Sequence, residues 1–138
     1  MRIARLARGD EAVVLAGREL FDRPPTAEWA AGFLARDGHH LLFALSDDDE
    51  PIGFVSGVET MHPDKGTEMF LYELAVAEQH RNRGVGRALV AALADLAREL
   101  ACYGMWVATD ADNTAALKAY VAAGAGPPEP FVMLTWDF

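Results

Sequence analysis

Between Leu71 and Leu89 the chain reads Leu-Tyr-Glu-Leu-Ala-Val-Ala-Glu-Gln-His-Arg-Asn-Arg-Gly-Val-Gly-Arg-Ala-Leu. An apolar run gives way to a short basic turn and then to helix formers, with Gly84 and Gly86 where the helix must start. Such a junction binds anions. The first N–H groups of a helix have no internal partners and the helix dipole is positive there, so a diphosphate can accept their hydrogen bonds while glycine lets it approach. Arg81, Arg83 and Arg87 add positive charge around the turn. A Walker A loop would need Gly-Lys-Ser/Thr, which is missing. A dinucleotide fingerprint would need a small residue where Leu89 stands.

The apolar run before the turn carries one carboxylate, Glu73. Alternation along a strand from Met69 to Val76 puts Phe70, Tyr72, Leu74 and Val76 on one face, and Leu71, Glu73 and Ala75 on the other. A carboxylate between apolar neighbours is expected to have a raised pKa through desolvation, which suits a general base acting directly or through water. The competing reading is an acid that pairs with a nearby arginine or accepts backbone hydrogen bonds. Asp110, after a later strand, is placed to bind a substrate ammonium, with Asp112, Glu59, Glu68 and Asp64 as further acids that are equally well explained as solvated surface.

The elements that hold these groups follow from period and punctuation. Ile3–Leu6 reads as a strand, and a helix runs from Asp10 or Glu11 to Leu20. Pro24-Pro25 breaks it, and Thr26 caps a second helix that Gly38 ends. Leu41–Leu45 and Ile52–Val58 form a hairpin across an acidic turn, followed by the strand from Met69 to Val76. Residues 85 to 101 are a helix with Leu89, Leu93, Leu96 and Leu100 on one face. Tyr103 to Thr109 is a strand, Asn113 to Ala123 a helix, and Phe131 to Phe138 a last strand, giving βααβββαβαβ over one domain, 1–138. In the helix from Asn113, Tyr120 lies two turns on, so both are expected to point the same way.

This order and the motif Arg81-x-x-Gly84-x-Gly86 resemble the GNAT superfamily of N-acetyltransferases, over nearly the whole chain. The resemblance implies an α/β (α+β) fold with a central mixed, mostly antiparallel sheet and about four helices. It implies acetyl-CoA as co-substrate, its pyrophosphate on the backbone of Arg83, Gly84, Val85, Gly86, Arg87 and Ala88. Its pantetheine arm would lie on the main chain of Leu74 and Val76 and against Asn113. Tyr120 matches the tyrosine that protonates the leaving thiolate in this family; the other reading of Tyr120 is a core aromatic, and of Asn113 an N-cap. The segment Phe70–Val76 with His80-Arg81 and Asp110 is also similar to small aminoglycoside 3-N-acetyltransferases of the gentamicin type. The chain departs from them after Asp110, at Ala111-Asp112-Asn113-Thr114.

The expected activity is therefore N-acetylation of a primary amine on a small cationic molecule, an aminoglycoside first, with a polyamine, another metabolite or a protein amine as alternatives. A non-catalytic acyl-CoA sensor would keep the turn without needing Glu73 and Tyr120 together. Composition agrees with a globular protein: 51% of residues are hydrophobic and 24% charged. The net charge of −9 argues against nucleic acid as partner. No run approaches the roughly 18 apolar residues of a membrane span, and no signal peptide is evident, so a cytoplasmic protein is expected. The single cysteine, Cys102, excludes an internal disulfide, and four histidines without metal-ligand spacing lead to the expectation of no metal. The apolar end Phe131–Trp136 makes a homodimer the expected assembly if the chain self-associates, since GNAT folds often pair through exposed strands.

Overall fold

The computed structural model describes every residue from Met1 to Phe138. In chain order the elements are β1 (Arg2–Arg5), α1 (Glu11–Ala16), a 3₁₀ turn (Arg18–Leu20), α2 (Ala27–Ala35), β2 (His39–Leu45), β3 (Pro51–His62), β4 (Gly66–Val76), a second 3₁₀ turn (Glu78–His80), α3 (Val85–Glu99), β5 (Met105–Trp106) and α4 (Thr114–Ala122). The strands form one five-stranded sheet in the order β1-β2-β3-β4-β5. The first three pairings are antiparallel and the last, β4 with β5, is parallel. The expected mixed sheet with four α-helices is what folds.

Both faces of the sheet are covered. On one, α3 lays Val85, Leu89, Val90, Leu93, Leu96 and Ala97 against Leu42, Ala44, Val55, Met69 and Leu71, with Tyr120 of α4 closing the cluster. Leu89 and Leu93 are wholly buried, which for leucine is a contribution of about 1.5–3 kcal/mol each. Gly57 lets the helix settle this close, since a Cβ there would stand 2.8 Å from both Leu93 Cδ1 and Met69 Sδ. On the other face α1 and α2 cover Leu41, Phe43, Leu45 and Phe54. Thr26 caps α2 as expected, its hydroxyl accepting from Trp29 N–H at 3.1 Å.

Three expectations are corrected. The simple alternation along β4 fails because a bulge interrupts it: Ser56 pairs with Glu73 but Gly57 pairs with Leu71, leaving Tyr72 as the extra residue. An extra residue reverses the parity of everything before it. Leu71 therefore joins Leu74 and Val76 on the α3 side, while Tyr72 is pushed out into solvent and Phe70 turns to stack on Trp106 with ring centroids 4.3 Å apart. Glu73 and Ala75 do share the opposite face.

The strand expected from Tyr103 to Thr109 shrinks to two residues, paired as Met69 with Met105 and Phe70 with Trp106. The bulge at Tyr72 twists β4 away immediately beyond that point, so β5 loses its neighbour and the two chains splay apart.

Phe131 to Phe138 forms no strand. The last backbone hydrogen bond of the chain is from Ala125 N–H to the Tyr120 carbonyl. Beyond it, Pro127, Pro128 and Pro130 lack amide donors and hold the backbone extended, so the apolar segment leaves the body without meeting a sheet edge. Phe131, Val132, Met133, Leu134, Trp136 and Phe138 all stand exposed.

Candidate active site

The splayed edge of β4 is the centre of the candidate site. The Ala77 N–H donates to the Ile52 carbonyl at 2.9 Å, and β4 pairs Val76 with Gly53, Ala75 with Phe54 and Leu74 with Val55. In an antiparallel ladder hydrogen-bonded pairs alternate with non-hydrogen-bonded ones. Ala75 therefore turns its amide and carbonyl toward β3, while Leu74 and Val76 turn theirs toward the side where β5 has departed. One of these groups is already used, the Val76 carbonyl accepting from Arg81 Nε at 3.2 Å.

That contact ties the end of β4 to the basic turn. Asn82 and Gly84 both adopt left-handed backbone, with φ of 59° and 80°. Asparagine tolerates this conformation and glycine suffers no penalty in it. Gly84 is the N-cap of α3 and offers no capping side chain, nor does the first turn carry an acid. The opening amides of a 15-residue helix are thus left free, with Arg81, Arg83 and Arg87 exposed around them. Gly86 faces the gap, where a Cβ would lie 3.7 Å from both Val76 Cγ2 and Ala119 Cβ and 3.9 Å from Leu74 Cδ2. Uncapped amides, a left-handed glycine and arginines suit a diphosphate, and the open edge of β4 suits an amide-bearing arm.

Glu73 lies on the other side of that edge. It looks into a cleft of about 210 Å³ between the sheet and the helices α1 and α2, where Phe21, Pro24, Pro25, Trp29, Phe33 and Phe54 supply apolar walls and Arg23 and Ser56 supply polar groups. The cleft is open, so the carboxylate keeps contact with water, yet the walls crowd it. Desolvation, and secondarily the negative charge of Asp22, push its pKa above the usual carboxylate range. It makes none of the protein's ion pairs, which removes the arginine-pairing alternative. Its backbone N–H donates to Ser56 Oγ at 3.1 Å, satisfying the amide that the bulge strands.

Tyr120 is buried in the α3 cluster, and burial raises its phenol pKa. No buried polar side-chain atom lacks a partner, and the Tyr120 hydroxyl, which bonds to nothing in the chain, therefore reaches accessible space. Asn113 takes the N-cap role that was its other reading. It precedes the helix as N-cap, with Oδ1 accepting from Ala116 N–H at 3.2 Å and Nδ2 donating to Thr109 Oγ1 at 3.3 Å. Asp110 is exposed, accepts the Asn113 N–H on its carbonyl, and is not among the residues lining the Glu73 cleft.

Of the other acids weighed from sequence, two have partners, Glu59 with His40 at 2.8 Å and Glu68 with His62 at 2.9 Å, while Asp64 and Asp112 make no ion pair and stand exposed. A larger hollow of about 440 Å³ sits by Arg5, Arg8, Arg36 and His39. It contains no residue of the β4 edge, so size does not make it the site. What sequence reasoning missed is the cleft wall. Pro24-Pro25 and the spacing of Trp29 and Phe33 were readable as a helix start, but nothing local shows that they face Glu73 across the fold.

The sequence profile of the Acetyltransferase (GNAT) family matches residues 7–125. No curated protein sequence matches the chain significantly. Among solved structures, an aminoglycoside acetyltransferase, meta-AAC0020, from an uncultured soil metagenomic sample and in complex with sisomicin has a TM-score of 0.90 at 19% identity, over 99% of this chain and 95% of that one. The aminoglycoside acetyltransferase AAC(6')-Iy, in complex with a bisubstrate analogue of CoA and acetylneamine, has a TM-score of 0.82 at 22% identity, over 99% and 97%. A ribosomal-protein-alanine N-acetyltransferase from Brucella melitensis biovar Abortus 2308 has a TM-score of 0.78 at 22% identity, over 99% and 100%. At these identities the likeness is one of fold. Where the aminoglycoside enzymes' names give a position it is 6′, so the 3-N type remains a resemblance of local sequence.

Proposed function

The chain belongs to the GNAT family of acetyltransferases, and on that premise we propose that it transfers the acetyl group of acetyl-CoA to a primary amine held at Glu73. One observation carries this reading. An unpaired carboxylate with a raised pKa stands next to Leu74, whose main chain opens onto the gap leading to the Gly84 turn. Residues on both sides of the gap fit the co-substrate: the amides from Arg83 to Ala88 with Arg81, Arg83 and Arg87 would hold the pyrophosphate, and Leu74, Val76 and Asn113 the pantetheine arm.

Acetyl-CoA supplies the thioester, an N–C bond replacing the C–S bond while one proton passes from nitrogen to sulfur and another is released to solvent. Glu73 accepts the proton that an ammonium must lose before its nitrogen can attack. Tyr120 holds a proton for the departing sulfur, as any phenol does at neutral pH, and burial raises its pKa further. The walls of the cleft hold the amine and limit its contact with water. Asp110, outside the cleft, would act on approach by attracting a cation.

The likeness to aminoglycoside acetyltransferases makes an aminoglycoside the acceptor that similarity alone suggests, to be tested beside smaller amines that the cleft walls suit. Release of CoA thiol in the presence of an amine, with isolation of the acetylated product, tests the reading. A protein that binds acetyl-CoA and releases thiol with no amine tested would instead be a sensor.

A homodimer is part of the proposal. The exposed apolar arm Phe131–Phe138 has strand-like sequence and no edge of its own to pair with, which is the condition under which chains exchange strands. The half-buried, unpaired Cys102 fits a reducing compartment such as the cytoplasm.

A further inference from the structure

The cleft before Glu73 is hydrocarbon on nearly every side. Phe21 stacks on Phe54 with ring centroids 4.3 Å apart, and Pro24, Pro25 and Trp29 complete the wall. Trp29 is 75% exposed, a large ring with nothing on it. Only two charged side chains line the space, Glu73 and Arg23. They do not pair with one another, and Arg23 has no ion pair anywhere in the chain.

Volume and charge both bear on what enters. At about 210 Å³ the cleft falls below the roughly 300–1,000 Å³ that encloses drug-sized ligands, so a multi-ring sugar could insert only a part of itself. Its hydroxyls would exchange water for apolar walls that return no hydrogen bonds, which is unfavourable. A second ammonium would also meet the Arg23 guanidinium. A carboxylate would be welcomed there, because guanidinium binds it through charge-assisted, often paired, hydrogen bonds.

Resting on the acetyl-transfer reading above, we propose that the acceptor is amino-acid-like: a primary amine on an apolar or aromatic body that also bears a carboxylate. The amine sits at Glu73, the body lies between the Phe21–Phe54 stack and Trp29, and the carboxylate pairs with Arg23. A zwitterion matches a cleft lined by one charge of each sign, the nearby Asp22 adding to the pull on the ammonium at Glu73. Burying an aromatic body against these rings provides the affinity that a small polar amine would lack.

The test compares L-phenylalanine, phenethylamine, which lacks only the carboxylate, and kanamycin, by CoA release and by calorimetric binding in the presence of CoA. L-Phenylalanine is expected to have the highest kcat/KM. Arg23→Gln should raise its KM about tenfold or more, the loss of one charge-assisted hydrogen bond, and leave phenethylamine within twofold. Trp29→Ala should weaken both aromatic acceptors. A preference for kanamycin, or an Arg23→Gln effect equal on phenylalanine and phenethylamine, overturns the proposal while acetyl transfer stands. Arg23-dependent binding of L-phenylalanine without turnover of any amine would support the acceptor class and reject the transfer reading.

Discussion

Ser56 Oγ accepts the backbone N–H of Glu73 at 3.1 Å, and this contact holds the bulge on which the site depends. Opposite Glu73 the ladder is in register, and one residue earlier Tyr72 is extruded. The bulge turns Glu73 into the cleft, turns Leu74 toward the gap, and ends the pairing with β5. Ser56 is itself buried, so no water replaces it easily. Ser56→Ala is expected to lose about 1–3 kcal/mol of stability, the cost of a stranded buried donor, read as a lower denaturant midpoint. Turnover should fall as well, because Glu73 is no longer fixed.

The raised pKa of Glu73 has a definite sign in the pH profile. If Glu73 is the base, as proposed, it works only when ionised, so kcat/KM should rise with pH along a limb lying above the ordinary carboxylate range. Asp22→Asn removes one of the two causes of the shift and should move that limb to lower pH. The same shift means that the folded protein holds this proton more tightly than the unfolded chain, so ionisation of Glu73 costs stability as pH rises through its folded pKa. Glu73→Gln should therefore raise the melting temperature at neutral pH, measurable by calorimetry at two pH values.

Tyr120→Phe separates acid from packing. The ring is buried but its hydroxyl bonds to nothing in the chain, so Phe keeps the contacts and the melting temperature should barely move. If the phenol protonates the leaving sulfur, kcat should fall by about 10²–10⁴, the usual range for a general acid. An unchanged kcat would leave Tyr120 as a core aromatic.

Gly84 is the N-cap of α3 at φ 80°, where a side chain costs about 1–2 kcal/mol. Gly84→Ala should lower stability by that order and weaken acetyl-CoA binding more than it alters acceptor KM, since the strained turn presents its amides differently. Calorimetric titration with CoA checks this.

Charge on the C-terminal arm tests assembly. Val132 is 85% exposed and Trp136 76%. Leu134→Asp with Trp136→Asp should convert a dimer to a monomer by sedimentation, leaving CoA affinity unchanged, whereas a wild-type protein that sediments as a monomer rejects the dimer.

Much of this was legible in sequence, and the failures share one cause. The Gly84 turn, the α3 face and the Thr26 cap are set by residues within a few positions of one another, and periodicity finds them. The bulge at Tyr72 depends on Ser56, in another strand, so simple alternation describes β4 from Glu73 on and not before it. The short β5 follows from the same bulge. Phe131–Phe138 carries a strand pattern whose partner the chain does not supply, and pattern alone does not show that. The walls Phe21, Arg23 and Trp29 meet Glu73 only through the fold.

Whether Glu73 takes the proton of an amine acceptor beside bound acetyl-CoA is decided by CoA release from wild type and Glu73→Gln with L-phenylalanine, phenethylamine, kanamycin and spermidine, alongside calorimetric binding of acetyl-CoA. The variant should lose about 10²–10⁴ in turnover with acetyl-CoA affinity within twofold of wild type. Equal turnover by the two proteins with the best of these amines would contradict this role for Glu73.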